Sequence, residues 1–214
     1  MGGINNIKRW LEPKEELLFY SDGTTEGKVD ELGKSIFPNN QIRGGMVTGT
    51  TAVTDLRVFG VLGGLVGNGT IGFEWITNYD YAVSRIKNKL QYEGRKLPKD
   101  KSPKDLGPKK SIFGMTIAEI YVASDVESIT RKHFMSTYHT IGAKVLILEP
   151  GSNFYELREL QFNKPVIKGT DSKEEIVDNA YDVVLAVIQK QLRAITSEKI
   201  AELHSLITDI YARK

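Results

Sequence analysis

The chain has no cysteine among its 214 residues, which excludes disulfides, thiolate nucleophiles and cysteine-ligated zinc or iron–sulfur centres. It carries almost no net charge: 29 basic residues face 27 acidic ones, so the overall balance points to no class of partner. Long hydrophobic runs are missing too. The longest uncharged stretch, Val58 to Phe73, has sixteen residues with six glycines and an asparagine, too short and too weakly apolar to cross a bilayer. Its glycines at four-residue spacing, Gly60 with Gly64 and Gly63 with Gly67, resemble membrane-helix packing motifs, but the cost of glycine in a helix and the Asn68-Gly69 pair argue for strands. The N-terminus lacks a charged-then-apolar leader, and Asn6 stands where acylation wants Ser or Thr. These absences lead us to expect a soluble, cytoplasmic protein.

What is present is a strand-rich centre. Met46 to Thr77, MVTGTTAVTDLRVFGVLGGLVGNGTIGFEWIT, is dominated by Val, Ile, Thr, Phe and Trp, which suit a pleated, half-buried surface. Asn68-Gly69 accommodates positive φ at both central positions of a hairpin turn, and Thr54-Asp55 marks an earlier reversal. Before this centre, Ile4, Ile7, Trp10 and Leu11 give a short amphipathic helix stopped by Pro13. Glu16 to Ser21 is a strand ending at the Asp22-Gly23 turn, and Gly23 to Gly45 reads as irregular.

After the centre, Tyr79 to Tyr92 settles on neither period cleanly and is assigned a short helix. Gly94 to Lys110 breaks the composition, with Pro98, Pro103 and Pro108 among lysines and too little apolar surface for a core. Strand signals return at Ile112 to Met115, Ile117 to Ala123, Ser128 to Tyr138 and Lys144 to Leu148. Glu149-Pro150-Gly151-Ser152 is turn chemistry, and Phe154 to Leu160 is the returning strand, where the sheet is expected to end. Ser172 and Glu175 form a capping box opening a helix with the apolar stripe Ile176, Val177, Ala180, Tyr181, Val184, Val187, Ile188, Leu192 and Ile195. Ile200, Leu203, Leu206, Ile207 and Ile210 either extend that helix or, with Ser197 as a new cap, form a second. The expected division is a β domain over 1–170, with a basic insertion at 94–110, and a helical tail over 171–214.

Three pieces carry a family resemblance. Leu11-Glu12-Pro13-Lys14-Glu15-Glu16-Leu17 looks like the opening of prokaryotic pleckstrin-homology-like (PH-like or GRAM-like) domains. Gly49-Thr50-Thr51-Ala52-Val53-Thr54-Asp55-Leu56-Arg57-Val58-Phe59 resembles their strand-turn-strand, and Val122 to Ile129 (VASDVESI) resembles a third segment. Together with a terminal helix, these span most of residues 11–195. The resemblance implies an α+β fold: a mainly antiparallel PH-like sandwich or open barrel with a C-terminal helix or helix pair. It also implies a platform for binding or oligomerisation without catalysis. The basic inositol-phosphate pattern of animal members is not matched, since Lys28, Lys34 and Arg43 are scattered.

Chemistry-bearing motifs are sparse. Gly67-x-Gly69-x-x-Gly72 satisfies a dinucleotide fingerprint as text, but that fingerprint needs a helix after it, and Phe73, Trp75 and Ile76 continue a strand. Gly107-Pro108-Lys109-Lys110-Ser111 lacks the first glycine of a phosphate loop. His133 and His139, on one extended strand, lie roughly 20 Å apart, too far to share a metal ion without a turn. No cofactor and no metal is therefore expected.

Two surfaces remain. The stripe residues Ile176, Tyr181, Val184, Ile188, Leu192, Leu203, Ile207 and Ile210 suit self-association or a protein partner. Arg85, Lys87, Lys89, Arg95, Lys96, Lys99, Lys101, Lys104, Lys109 and Lys110, facing only Glu93, Asp100 and Asp105, suit nucleic acid or an anionic membrane surface. The sequence thus reads as a non-catalytic scaffold protein. Its alternatives are the nucleic-acid or lipid binder and an uncharacterised hydrolase or cofactor enzyme.

Overall fold

The computed structural model describes residues 3–28, 47–62, 71–92, 120–133, 136–149, 152–161, 164–167, 175–176 and 180–212. The expected antiparallel strands of the centre are present. β1 (Leu17–Lys28), β2 (Val47–Thr54), β3 (Arg57–Leu62) and β4 (Ile71–Ile76) pair in succession. Thr54 makes the β2–β3 reversal: its Oγ1 accepts from the amides of Leu56 at 3.2 Å and Arg57 at 3.1 Å. A hydroxyl in that position satisfies backbone donors that the ladder leaves over. The Asn68-Gly69 turn lies outside the described residues.

Alternation along these strands decides which side chain goes to which face. Ala52 opposes Phe59 and Val53 opposes Val58, so sequence neighbours point to opposite sides. Val53, Val58 and Trp75 join the main core, whereas Ala52, Phe59, Val61 and Ile71 belong to a second apolar cluster. That cluster includes Ile7 of α1 (Gly3–Lys8), with Ile4, Trp10 and Leu11 packed at its margin. The sheet is therefore buried on both faces here. Gly60 answers to one such packing demand, since a Cβ there would lie 2.2 Å from the Phe73 ring.

α2 (Tyr79–Tyr92) matches its expected span. Asn78 Oδ1 accepts the Tyr81 amide at 3.0 Å, and Asp80 lies in the first turn, the two features that favour a helix N-terminus. Ala82 and Ile86 are buried against the main core, so packing settles the period that the letters left ambiguous.

The second half of the sheet is β5 (Ile120–His133), β6 (Ser136–Glu149) and β7 (Ser152–Gln161), again antiparallel. β4 and β5 meet in parallel through Ile76 and Val122. β1 is bonded on both sides: to β2 along one edge, and along the other to β7 at Thr25–Lys28 and to β8 (Lys164–Ile167) at Phe19–Asp22. β9 (Glu175–Ile176) adds to β8. The sheet order is β2-β3-β4-β5-β6-β7-β1-β8-β9, with β2 also paired to β1. α3 (Ala180–Leu192) lies on β5 and β6, and α4 (Ser197–Ala212) on α2 and β6. Nine strands and four helices among the described residues thus make a mixed α+β fold on a mostly antiparallel sheet.

Several boundaries differ from expectation, each for a tertiary reason. β1 runs on to Lys28 because β2 and β7 both supply ladder partners beyond Asp22. Ser128–Tyr138 is not one strand, since β6 pairs antiparallel with β5 and sets Ser136 opposite His133. The sheet does not end at Leu160: β8 and β9 extend it. Glu175 pairs with Ile167 in β9, so the Ser172–Glu175 box opens no helix there, and Ser172 itself lies outside the described residues. A strand partner outweighs a local cap worth about 1 kcal/mol. The C-terminal stripe begins in β9 with Ile176 and is then divided between two helices. The cap of α4 is Thr196, whose Oγ1 accepts the Lys199 amide at 3.4 Å, and not Ser197.

Candidate functional site

The densest concentration of chemistry is a buried ion network at the β2–β3 end of the sheet. Arg57 opens β3, and two-residue periodicity puts its side chain on the face of Phe59, whose cross-strand partner is Glu74. The 12–15 segment turns back toward it: the Glu15 amide donates to Glu12 O at 3.0 Å, and the Glu12 amide donates to Glu15 Oε2 at 2.6 Å. Lys14 takes φ 71° in this turn, a value uncommon for a residue other than glycine. The turn presents the Glu15 carboxylate to the guanidinium in a two-point fork, Nε to Oε1 at 2.9 Å and Nη2 to Oε2 at 3.0 Å.

The remaining donors are also used. Arg57 Nη2 donates to the Trp10 carbonyl at 2.5 Å and lies 3.9 Å from Glu12 Oε1, while Nη1 donates to Glu74 Oε1. Glu74 Oε2 takes Arg85 Nη2 at 3.3 Å, and the Tyr81 hydroxyl donates to Glu74 Oε1 at 3.4 Å. The Arg57 guanidinium carbon stands 4.5 Å from the Phe59 ring centroid and 5.3 Å from that of Tyr81. The side chains of Arg57 and Glu15 are 1% and 0% exposed, so their attraction is little screened by solvent. Burial pulls the Arg57 pKa down, but the charge of Glu74 and the Glu15 hydrogen bond more than offset this and raise it. Burial, followed by the charge of Glu74, pushes the Tyr81 hydroxyl pKa well up, so the ring stays neutral. With carboxylates bound to guanidiniums, the arrangement clamps the N-terminal segment, β3, β4 and α2 together.

A second network closes the junction of β1 with β7. Glu26 accepts from Trp75 Nε1 at 3.2 Å and from Arg158 Nη1 at 3.4 Å, and Arg158 Nη2 pairs with Glu156 at 2.7 Å.

The surface is different in kind. Among the described residues, the large hydrophobic side chains most exposed to solvent are Phe154, Tyr155, Leu157 and Val183, and three of these four lie within four positions of β7. They are 40%, 46% and 39% exposed, whereas Ile147 and Leu146, the cross-strand partners of Phe154 and Tyr155, are fully buried. Leu157 opposes Lys144, whose ammonium stands 4.5 Å from the Tyr155 ring centroid.

The residues singled out from sequence are placed as follows. Val184, Ile188, Leu192, Leu203 and Ile207 are buried in the main core against the chain's own strands. Ile176 lies in β9, Tyr181 in α3 and Ile210 in α4. Of the basic segment, Arg85 is buried on Glu74, Lys87 is exposed on α2, and Lys89 belongs to the same helix. Arg95, Lys96, Lys99, Lys101, Lys104, Lys109 and Lys110 lie outside the described residues. His139 opposes Thr130, three positions from His133, in the β5–β6 hairpin. Gly72 stands within strand β4, while Gly67 and Gly69 lie outside the described residues. No group of three His, Asp or Glu residues suited to a metal occurs among the described residues, and no described helix is long and apolar enough to cross a membrane.

Motif reading passes over Arg57 and Glu74, yet the letters hold a signal for them. Each is a single charge inside an apolar run, Leu56-Arg57-Val58-Phe59 and Phe73-Glu74-Trp75, and the signs are opposite on neighbouring strands. In comparisons with known proteins, no family model matches the chain and no curated protein matches it significantly.

Proposed function

We propose that the chain is a non-catalytic PH-like binding protein that associates with a second copy of itself through β7. The PH-like part is supported by topology. A four-stranded meander and a three-stranded meander are joined through β1, and a C-terminal helix lies on β5 and β6. Two of the resembling segments, 11–17 and 49–59, also converge on one residue, Arg57.

The exposed cluster on β7 carries the functional part. Val184, Ile188 and Leu192 of α3 and Leu203 and Ile207 of α4 are spent on the chain's own core, and much of the buried charge is neutralised internally. Among the described residues, Tyr155 and Leu157 stand two apart on β7 and so share one face of the strand, both apolar and facing solvent, with Phe154 exposed on the other face; a paired apolar surface of this kind marks a contact surface. Light scattering over a concentration series tests it. The chain is expected to rise above its 23.9 kDa monomer mass with concentration, and Tyr155→Glu with Leu157→Glu to hold it at 23.9 kDa. A chain that stays monomeric throughout, or a variant that associates as the parent does, overturns the reading.

A further inference from the structure

Residues 3–11 cross the outer face of β1–β4 as a strap. α1 has six residues, fewer than two turns, and a helix that short has little stability of its own. It is held by apolar packing: Ile7 is fully buried among Leu17, Tyr20, Ala52, Phe59, Val61 and Ile71. Its polar tie to the body is at its far end, where Arg57 holds the Trp10 carbonyl. The 12–15 turn that follows is fixed much more firmly, by Glu15 on Arg57 and by the Glu12–Glu15 hydrogen bonds.

Beneath the strap is a polar group out of place. Tyr20 is 2% exposed within this apolar cluster, and among the described residues its hydroxyl has no hydrogen-bond partner. A buried hydroxyl without a partner destabilises the state that buries it. Lifting the strap lets water reach that hydroxyl, which offsets part of the cost of exposing Ile7 and the apolar face beneath it.

We infer that residues 3–11 form a lid that opens locally, pivoting ahead of the fixed 12–15 turn. Opening gives up the Arg57–Trp10 carbonyl bond, while the Arg57 contacts with Glu15 and Glu74 and the sheet stay intact, and the Tyr20 hydroxyl favours the open state. Opening uncovers the apolar face made by Leu17, Tyr20, Ala52, Phe59, Val61 and Ile71 without unfolding the domain.

The chain has no cysteine, so Ile7→Cys supplies a single thiol under the lid and Val145→Cys a single thiol in the main core. In native buffer, a thiol reagent is expected to modify position 7 about 100-fold faster than position 145, through local opening. Adding Tyr20→Phe removes the orphan hydroxyl and is expected to slow modification at position 7 about 10-fold, with no such slowing at position 145. Because Ile7→Cys itself weakens the lid, hydrogen exchange of the unsubstituted chain provides a second measure. The Trp10 amide, bonded to Ile7 O, is expected to exchange well ahead of the Thr77 amide, bonded to Leu56 O. Equal modification rates at the two thiols, equal exchange of the two amides, or a position 7 rate indifferent to Tyr20→Phe each overturns the proposal.

Discussion

Replacing Arg57 with methionine tests whether the buried network is a clamp. The substitution keeps most of the side-chain volume over Phe59 but removes a guanidinium 1% exposed, leaving the fully buried Glu15 side chain without its two-point partner. Glu74 retains Arg85, so the unpaired charge is chiefly that of Glu15. Removing one member of a buried pair costs about 3–5 kcal/mol, and the near-zero exposures here call for no discount for solvent screening. With a urea dependence of roughly 2 kcal/mol per molar, the midpoint should fall by about 2 M. Tryptophan fluorescence follows the transition through Trp10, which borders the network, and Trp75, which lies in the main core. A double-mutant cycle separates charge from packing. Glu15→Gln in the Arg57→Met background should recover part of the loss, giving non-additivity of about 2 kcal/mol. Arg57→Lys keeps a charge but loses the fork, so its midpoint should fall between parent and Arg57→Met. An Arg57→Met loss below about 1 kcal/mol, or a cycle that is simply additive, refutes the clamp.

Three further outcomes follow from local geometry. Gly60→Ala drives a methyl to 2.2 Å from the Phe73 ring and should cost about 1–3 kcal/mol in urea melts, with Phe73→Leu in the same background restoring much of it. Lys14→Gly relieves the φ of 71° and should raise stability by about 0.5–1 kcal/mol, whereas Lys14→Val should lower it. Tyr81 has a folded pKa raised above its ordinary 10.0, so its contribution is complete below about pH 10 and is lost as pH rises beyond it, when the unfolded chain ionises first. Stability measured from about pH 9 to 11 should therefore fall less steeply in Tyr81→Phe than in the parent, and identical slopes would count against the assignment.

The central meander was legible because its strands obey local rules: branched letters are frequent in its arms, and Thr54-Asp55 marks a reversal that the structure makes through the Thr54 hydroxyl. Tyr79–Tyr92 was less plain, its apolar letters settling on neither period, although Asn78 and Asp80 are end signals that do not depend on distant neighbours. What the letters could not carry was partnership at long range. Ser172 and Glu175 form a sound cap by local rules, but β8 offers Glu175 a strand partner at Ile167, and β8 is itself held in place by β1 from the far end of the chain. The Arg57 network was hidden in the same way. Glu15 and Arg57 are 42 residues apart, and although Arg57 interrupts an apolar run, nothing near it in sequence points to Glu15 as its partner.

The two faces of the sheet also explain why an apolar stripe is a poor guide to a binding surface in this chain. A stripe on α3 or α4 and an alternating strand in β2 or β3 each predict burial, but neither says whether the partner is the chain itself or another molecule. The structure answers for most of them: the helices cover one cluster and the strap covers the other. Among the described residues, Val183 of α3 is left over, as are Phe154, Tyr155 and Leu157, on a strand whose far end is bonded to β1. β1 also underlies the strap through Leu17 and Tyr20, so the lid and the β7 surface share one strand but no residue. Substitutions at the two places should therefore act additively if each site works alone. If Tyr155→Glu with Leu157→Glu alters thiol modification at position 7, the two faces are coupled, through β1 or through the β4–β5 contact that also joins the two halves of the sheet.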